Sequence, residues 1–180
     1  MPYLEGRPYF LFVGEISAEK NAAVLLRALK RMSPAARAAI SLLFTHRDAM
    51  LDEFCSLPGL KVHVTRLTDA GLRVAYGSAL ALIYPSRYEG FGLPPLEAMA
   101  CGCPVICSNT SSLPEVVGDA ALLIDPDDDE QLRQNLVYVQ DPAVREQLRL
   151  KGIKRAENFS WDDMALQLET FLTGMNGIPA

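Results

Sequence analysis

Residues 79–107 constrain the fold of this chain strongly, because they combine four structural elements in a fixed order. An apolar run at 79–83 is typical of a buried strand, and Gly90 and Gly92 favour a turn after it. Two prolines follow that turn, which fits a helix start because the missing proline N–H has no helical partner to lose. A glycine then ends the helix, and the apolar run 105–107 follows. The stretch therefore predicts strand, turn, helix and strand.

The rest of the chain repeats this alternation. Short apolar and β-branched runs predict strands at 9–13, 39–45, 60–64, 78–84, 105–107 and 120–124. Apolar residues at helical spacing, interrupted by proline and glycine, predict helices at 22–32, 49–57, 70–77, 94–101, 113–118, 131–139, 142–158 and 160–172. Such alternation predicts an α/β fold, a doubly wound Rossmann-like domain with a mostly parallel sheet of about six strands.

Length and charge bound the function. The chain has 180 residues, enough for one domain with a substantial core. We expect the domain at 9–173, with 1–8 as a linker or the end of a longer chain and 174–180 as a tail. The net charge of −5 argues against a nucleic-acid partner. We expect a cytoplasmic protein without a transmembrane segment, since no signal peptide and no apolar run of about 18 residues is visible.

Neither the cysteines nor the acidic residues predict a metal site. Cys101, Cys103 and Cys107 have C-x-C-x3-C spacing, which is not a zinc spacing, and we expect these and Cys55 to be buried free thiols of a reduced protein. The acidic run 125–130 could suggest a metal, but it immediately precedes a helix. Carboxylates in that place cap a helix and complement its dipole.

The glycine turn has a chemical use as well as a structural one. A glycine turn that leads into a helix presents backbone N–H groups at the positive end of the helix dipole, and such a place suits a phosphate. Glu89 lies on this turn, and we expect Glu97 in the first turn of the helix. Carboxylates accept hydrogen bonds from sugar hydroxyls, two at once when the hydroxyls are vicinal. A nucleotide-sugar has a ribose diol, a diphosphate and a sugar in that order. The alternative is an ordinary βα turn with a helix-start carboxylate.

Residues 89–106 resemble the E-x7-E signature of the large retaining glycosyltransferase family called group 1, with Glu89 and Glu97 as the two carboxylates. The resemblance covers nearly the whole chain, from Tyr9 to about Phe171. It implies that the chain is the C-terminal, donor-binding half of a GT-B fold. It also implies a UDP-, GDP- or ADP-sugar as the donor, with no separate cofactor and no metal. The acceptor domain that precedes this half in the family is not in this chain.

The resemblance also implies a role for individual residues. Glu97 would hold the ribose diol, Lys20 would neutralise the diphosphate, and Glu89 would hold sugar hydroxyls as the one catalytic residue. The diphosphate would bind the backbone N–H groups of Gly90, Phe91, Gly92 and Leu93. The base would meet backbone groups of Thr65, Arg66 and Leu67.

Three loops depart from the family's pattern. In the loop after the first strand Gly14 and Lys20 match, but Glu15 stands where an arginine is common. A glycine-rich turn is often found where this chain has residues 46–47, His-Arg, which could reach a phosphate or the base but are more often surface residues. Serines replace two family glycines at 111–112, so their hydroxyls could meet a ligand while close backbone approach becomes less favourable.

The resemblance implies retaining transfer of a sugar to an acceptor such as a growing polysaccharide or a lipid-linked glycan. The fragment alone would be inactive, and its final segment would pack towards the N-terminal acceptor domain. Peripheral membrane contact by the full enzyme stays open. Two alternatives remain: a non-catalytic nucleotide-sugar-binding module that acts with a partner subunit, which Glu15 and the lost glycines favour, and a nucleotide-sugar epimerase. Hydrolysis is the weaker idea, because the two carboxylates bracket a phosphate-type turn.

Overall fold

The computed structural model describes residues 7–175. Most of the predicted linker 1–8 and tail 174–180 therefore lies outside the described residues. The sheet consists of β1 (Tyr9–Phe12), β2 (Ser41–Phe44), β3 (Lys61–Val64), β4 (Ala81–Tyr84), β5 (Val105–Ser108) and β6 (Leu122–Ile124). The helices are α1 (Ala22–Lys30), α2 (Pro34–Ala38), α3 (Leu51–Cys55), α4 (Asp69–Ser78), α5 (Leu93–Ala100), α6 (Leu113–Val117), α7 (Asp129–Tyr138), α8 (Pro142–Ala156) and α9 (Trp161–Met175). This arrangement confirms the predicted α/β class.

All strand pairs of the sheet are parallel, in the order β3-β2-β1-β4-β5-β6. The order reverses between β1 and β4, which pair directly with Phe10 opposite Ala81. Loops that leave two such neighbouring strands in opposite directions open a crevice at their carboxyl ends, where open α/β sheets bind ligands. The loops 13–21 and 85–92 meet at this point.

Helices cover both faces of the sheet, which explains why the strands are nearly continuous apolar runs. On one face Phe10 of β1 belongs to a buried cluster with Leu25 of α1 and Leu136 of α7. On the other face Leu11 belongs to a cluster with Tyr76 of α4 and side chains of α5 and α6. This second layer contains α5, which begins directly after the turn at residues 89–92, and α6, whose Leu113 lies beside Gly92.

Three of the predicted helices have a side-chain cap at their start. Thr68, Asp128 and Ser160 each accept a hydrogen bond from the backbone N–H of the residue three positions later. The capping interpretation of the acidic run is therefore confirmed for Asp128. Within residues 7–175, no group of three or more His, Cys, Asp or Glu side chains is placed to hold a metal ion.

Helix α2 is not predicted by the helical periodicity. The pair Ser33-Pro34 follows the predicted helix 22–32 and starts α2, because the Ser33 hydroxyl accepts the N–H of Ala36 and the proline fits the first turn. Arg37 of this helix is buried and donates hydrogen bonds to the carbonyls of Leu29 and Pro58. These long-range bonds give a five-residue helix its support.

The expectation of four buried thiols is half wrong. All four cysteines are free, and Cys103 and Cys107 are buried, which raises the pKa of each thiol to about 12. Cys55, at the end of α3, is exposed, and Cys101 is partly exposed. The core side of α3 is occupied instead by Leu51 and Phe54.

Helix α9 extends three residues past its predicted end, to Met175. Every side chain described in it, from Trp161 to Thr173, is exposed. The large apolar ones are Trp161, Met164, Leu166, Leu168, Phe171 and Leu172. No helix among the described residues is both long enough and apolar enough to cross a membrane.

Candidate functional site

The site lies where the loops after β1 and β4 meet. The Lys20 ammonium donates hydrogen bonds to Glu89 Oε1 and to the Tyr84 hydroxyl, each over 2.6 Å. The Lys20 side chain is 26% exposed and that of Glu89 is 14% exposed. Two residues that were predicted separately, on different loops, therefore form one half-buried ion pair that solvent can reach.

Glu89 is held ionised by its neighbours. Burial opposes its ionisation, but hydrogen bonds from Lys20, Ser86 and Tyr84, together with the Lys20 charge, hold its pKa below the usual range. Burial, and then the adjacent Glu89, raise the pKa of Tyr84, which stays a neutral phenol. Neither Tyr84 nor Ser86 was singled out in the sequence, because a tyrosine at a strand end is usually only core.

Asn21 fixes the loop that carries Lys20. It is 4% exposed and adopts the left-handed conformation, with φ of 54°. Its side-chain amide donates to the carbonyls of Pro85 (3.1 Å) and Pro126 (2.8 Å), which follow β4 and β6. One side chain therefore joins the loops of three strands. Asparagine tolerates positive φ, and that is the local signal in the sequence for this role.

The two glycines of the turn at 90–92 have different surroundings. Gly92 is closely packed, and Gly90 faces open space. Gly92 has φ of 105°, and a Cβ there would lie 2.8 Å from Leu113 Cδ2. A Cβ on Gly90 would meet nothing within 4 Å. Within residues 7–175, no hydrogen-bond partner is found for the backbone N–H groups of Gly90, Phe91, Gly92 and Leu93.

The two serines that replace family glycines bind the turn itself. Ser111, with φ of 53°, accepts the N–H of Glu89 over 3.1 Å. The Ser112 hydroxyl lies 2.7 Å from the Phe91 carbonyl oxygen and 3.1 Å from that of Glu89, and it can donate to either. In this structure the hydroxyls stabilise the turn from within the protein.

Glu97 bonds to a different partner from the Lys20–Glu89 pair. It is the fifth residue of α5, so the expectation of a place in the first turn is wrong, and the helix has no acidic residue there. It is exposed, and Oε2 accepts a hydrogen bond from Tyr76 over 3.3 Å. It lines a cavity of about 340 Å³ between α4 and α5, with Asp69, Leu72, Arg73, Tyr76, Ala100 and Cys101.

The other predicted residues are distributed around this centre. The Gly14 N–H donates to the Thr45 hydroxyl (3.1 Å), which joins the loops after β1 and β2. Glu15 is 77% exposed, and its carboxylate lies 3.5 Å from His46 Nε2, so these two departures from the family pattern contact each other. The remaining predicted residues follow the edge strand β3 and form no hydrogen bond with the Lys20–Glu89 pair: Thr65, Arg66 and Leu67.

The fold and the family comparison together define a glycosyltransferase domain. The family described as glycosyl transferases group 1 matches residues 3–155, and the chain belongs to this family. The expected family is therefore confirmed.

Two curated relatives are named as mannosyltransferases. O-antigen chain mannosyltransferase B of Escherichia coli is 36% identical over 167 residues, which are 88% of this chain and 44% of that protein. O-antigen chain mannosyltransferase RfbU of Salmonella typhimurium is 36% identical over 129 residues, 70% of this chain and 36% of that protein. The chain thus spans less than half the length of these two relatives.

A solved structure shows the same fold. Sucrose-phosphate synthase from Thermosynechococcus elongatus superposes with a TM-score of 0.78 at 26% identity, over 94% of this chain and 45% of that one. The matched part is again about half of a larger protein.

Proposed function

We propose that this chain is the donor-binding half of a retaining glycosyltransferase that transfers a sugar from a nucleotide-diphospho-sugar. The observation that carries the proposal is the Lys20–Glu89 ion pair at the carboxyl edge of the sheet. On the same loop as Glu89, the N–H groups of 90–93 have no protein partner among the described residues. A cation and free donors suit a diphosphate, and a carboxylate beside them suits sugar hydroxyls.

The reaction makes use of these groups when the glycosidic bond to phosphate breaks. The departing nucleoside diphosphate gains negative charge, and preorganised donors and a cation stabilise that charge in the transition state. Lys20 would transfer part of its hydrogen bonding from Glu89 to the phosphate. Glu89 would then be free to accept hydrogen bonds from the sugar and to orient its anomeric carbon. Retention at that carbon is part of the proposal.

The nucleoside would extend from the diphosphate towards the cavity that Glu97 lines. The Glu97 carboxylate would accept hydrogen bonds from both ribose hydroxyls. The Tyr76 hydroxyl already orients one oxygen of that carboxylate. The backbone of 65–67 follows β3, and Leu67 packs in the same layer as Tyr76. These residues are our candidates for the wall around the base.

We propose mannose as the donor sugar, which implies a nucleotide-diphospho-mannose among the UDP, GDP and ADP donors. The support is the name of the two curated relatives above, both mannosyltransferases. The acceptor would be a growing polysaccharide or a lipid-linked glycan.

Lys20 and the N–H donors would neutralise the charge of the diphosphate, without a cofactor or a metal ion. Activity of the complete enzyme in the presence of a metal chelator tests this point.

We propose that the exposed apolar side of α9 packs against the missing acceptor half. Trp161, Met164, Leu168 and Phe171 recur at the three- and four-residue spacing that places them on one side of the helix. The charges among the described side chains of α9 are all acidic, so an anionic membrane surface suits it poorly. The match covers 44% of O-antigen chain mannosyltransferase B, so more than half of that relative lies outside it. This remaining length is sufficient for an acceptor half.

This contact has a matched test. Leu168 on α9 and Leu150 on α8 are both 56% exposed. When the acceptor half is supplied as a separate chain, Leu168→Glu should abolish its binding and Leu150→Glu should leave it intact. Equal binding by both variants would place the acceptor half elsewhere.

A second candidate is a nucleotide-sugar-binding module that serves a partner subunit without catalysis. The specific observation in its favour is Glu15, whose carboxylate faces His46 in the loop where an arginine is common in the family. Under this hypothesis the assembled two-half protein would bind the donor but transfer no sugar. Measured turnover in that assembly would exclude it.

The main experiment is calorimetric titration of the chain with UDP, GDP and ADP and with their common sugar conjugates. We expect one nucleotide to bind and its mannose conjugate to bind more tightly. Glu97→Ala should weaken both ligands. If no nucleotide binds to the folded chain, the titration is repeated with the acceptor half present, and a second negative result would overturn the proposal.

A further inference from the structure

The Phe91 side chain lies between the two glycines of the turn and contacts a residue from the far end of the chain. Its ring packs edge-to-face against that of Phe159, with centroids 6.0 Å apart and planes at 89°. This is a favourable arrangement for two aromatic rings. Phe91 is 45% exposed and is not part of either buried cluster, so this contact fixes a ring that the core does not hold.

Phe159 is itself held by a second contact. The Arg155 guanidinium lies 5.0 Å from the Phe159 ring centroid, within range of a cation–π interaction. Arg155 also donates hydrogen bonds to the backbone carbonyls of Glu115 and Val116, near the end of α6. A continuous set of contacts therefore runs from α6 through Arg155 and Phe159 to Phe91.

Both ends of α6 thus hold the same turn. At its start, the Ser112 hydroxyl contacts the Phe91 carbonyl oxygen, and Leu113 fills the space beside Gly92. At its end, Arg155 and Phe159 hold the Phe91 ring. The backbone of Phe91 is fixed through its carbonyl, and its side chain is fixed through the ring, so the directions of the N–H groups at 90–93 are restricted.

We propose that Phe159 is a positioning residue for the phosphate-binding turn, an inference that rests on the proposed function of the N–H groups at 90–93. Phe159 contacts Phe91, and it orders the turn through that ring. It lies two residues before Trp161, where α9 begins. A partner that packs on α9 would therefore act close to the residue that orders the donor site.

The test compares Phe159→Ala with Phe159→Tyr, which keeps the ring. Tyr138→Ala is the control for removal of an aromatic ring, since Tyr138 is exposed at the end of α7 and Phe91 packs against Phe159 instead. We expect Phe159→Ala to lower the backbone ¹⁵N order parameters of Gly90, Phe91 and Gly92. Phe159→Tyr should restore them, and Tyr138→Ala should leave them unchanged.

The second measurement compares two affinities of each variant. One is for the nucleoside diphosphate that the wild type binds (GDP, UDP or ADP), and the other is for the matching nucleoside. Loss of the ring contact should weaken the nucleoside diphosphate about two- to tenfold and leave the nucleoside unchanged. A purely structural role would lower the unfolding temperature without this selectivity. Order parameters unchanged in Phe159→Ala, or equal losses for nucleoside and diphosphate, would overturn the inference.

The two readouts separate this inference from the proposed function. If the wild type binds no nucleotide in any assembly, the proposed function fails, and the diphosphate-positioning role of Phe159 fails with it. If the wild type binds but Phe159→Ala leaves both readouts unchanged, only the role of Phe159 fails.

Discussion

Asn21 donates a hydrogen bond to the carbonyl of Pro126, 105 residues later in the chain, over 2.8 Å. The same amide group binds the Pro85 carbonyl, so the loops after β1, β4 and β6 are joined at one buried point. Lys20 directly precedes Asn21, so these hydrogen bonds of Asn21 also fix the position of Lys20. The position of the cation at the candidate site therefore depends on a residue with no chemical role of its own.

Asn21→Ala should destabilise the fold by about 2–4 kcal/mol, because it leaves two buried carbonyls unpaired and puts a Cβ without a polar group at positive φ. Asn21→Gly removes the same hydrogen bonds but adopts positive φ without strain, so it should cost about 1 kcal/mol less. Urea denaturation of both variants measures the difference. Wild-type stability in Asn21→Ala would contradict the role of this amide.

The Lys20–Glu89 pair should make stability depend on pH in a defined direction. The folded-state pKa of Glu89 lies below its ordinary value of 4.5. Its contribution is therefore fully present above about pH 4.5 and is lost as the pH falls through the lowered pKa. Glu89→Gln mimics the protonated side chain. The difference in unfolding free energy between wild type and variant should therefore shrink as the pH falls below about 4.5. A difference that is constant from pH 7 to pH 3 would contradict the assignment.

Tyr84→Phe should leave the packing of β4 intact and change the ion pair. The phenol is a hydrogen-bond partner of both Lys20 and Glu89. Its loss removes one donor from the carboxylate, so the pKa of Glu89 should rise towards its ordinary value. The acid transition in stability should move to higher pH, with a loss of about 1 kcal/mol at neutral pH. An unmoved transition would show that Tyr84 does not affect Glu89.

The two glycines of the turn should respond differently to alanine. Gly92→Ala should cost about 2–4 kcal/mol, because the new Cβ would clash with Leu113 at a positive φ. Gly90→Ala should be nearly neutral for stability, since a Cβ there has open space. If the open space is where the diphosphate approaches, Gly90→Ala should still weaken nucleoside diphosphate binding. Thermal unfolding and titration of both variants separate the two effects.

The two carboxylates should have different ligand preferences. Glu97→Ala should weaken the free nucleotide by about 1.5–3 kcal/mol, the cost of lost hydrogen bonds to an ionised group. Glu89→Ala should spare the free nucleotide, because it also releases Lys20 from its partner, and should weaken the nucleotide-sugar by a similar amount. Titration with both ligands measures this. Equal losses in both variants would show that the assigned roles are wrong.

Much of the fold follows from local sequence patterns. The six strands, the proline-started helix α5 and the caps at Thr68, Asp128 and Ser160 depend on residues close together in the chain. Helix α2 was missed because its support comes from long-range bonds of Arg37. The burial of Cys55 was misjudged because its helix faces the core with other residues.

What the sequence by itself determined is the chemistry available to this protein: two carboxylates, a lysine and a glycine turn before a helix, on an α/β alternation typical of its family. Only the tertiary structure decided which of these groups meet. Lys20 contacts Glu89 because β1 and β4 are neighbours in the sheet, while Glu97 forms its hydrogen bond with Tyr76. Strand order brings together residues that are 69 positions apart. Periodicity and propensity describe only near neighbours in the chain, so they contain no information about that contact.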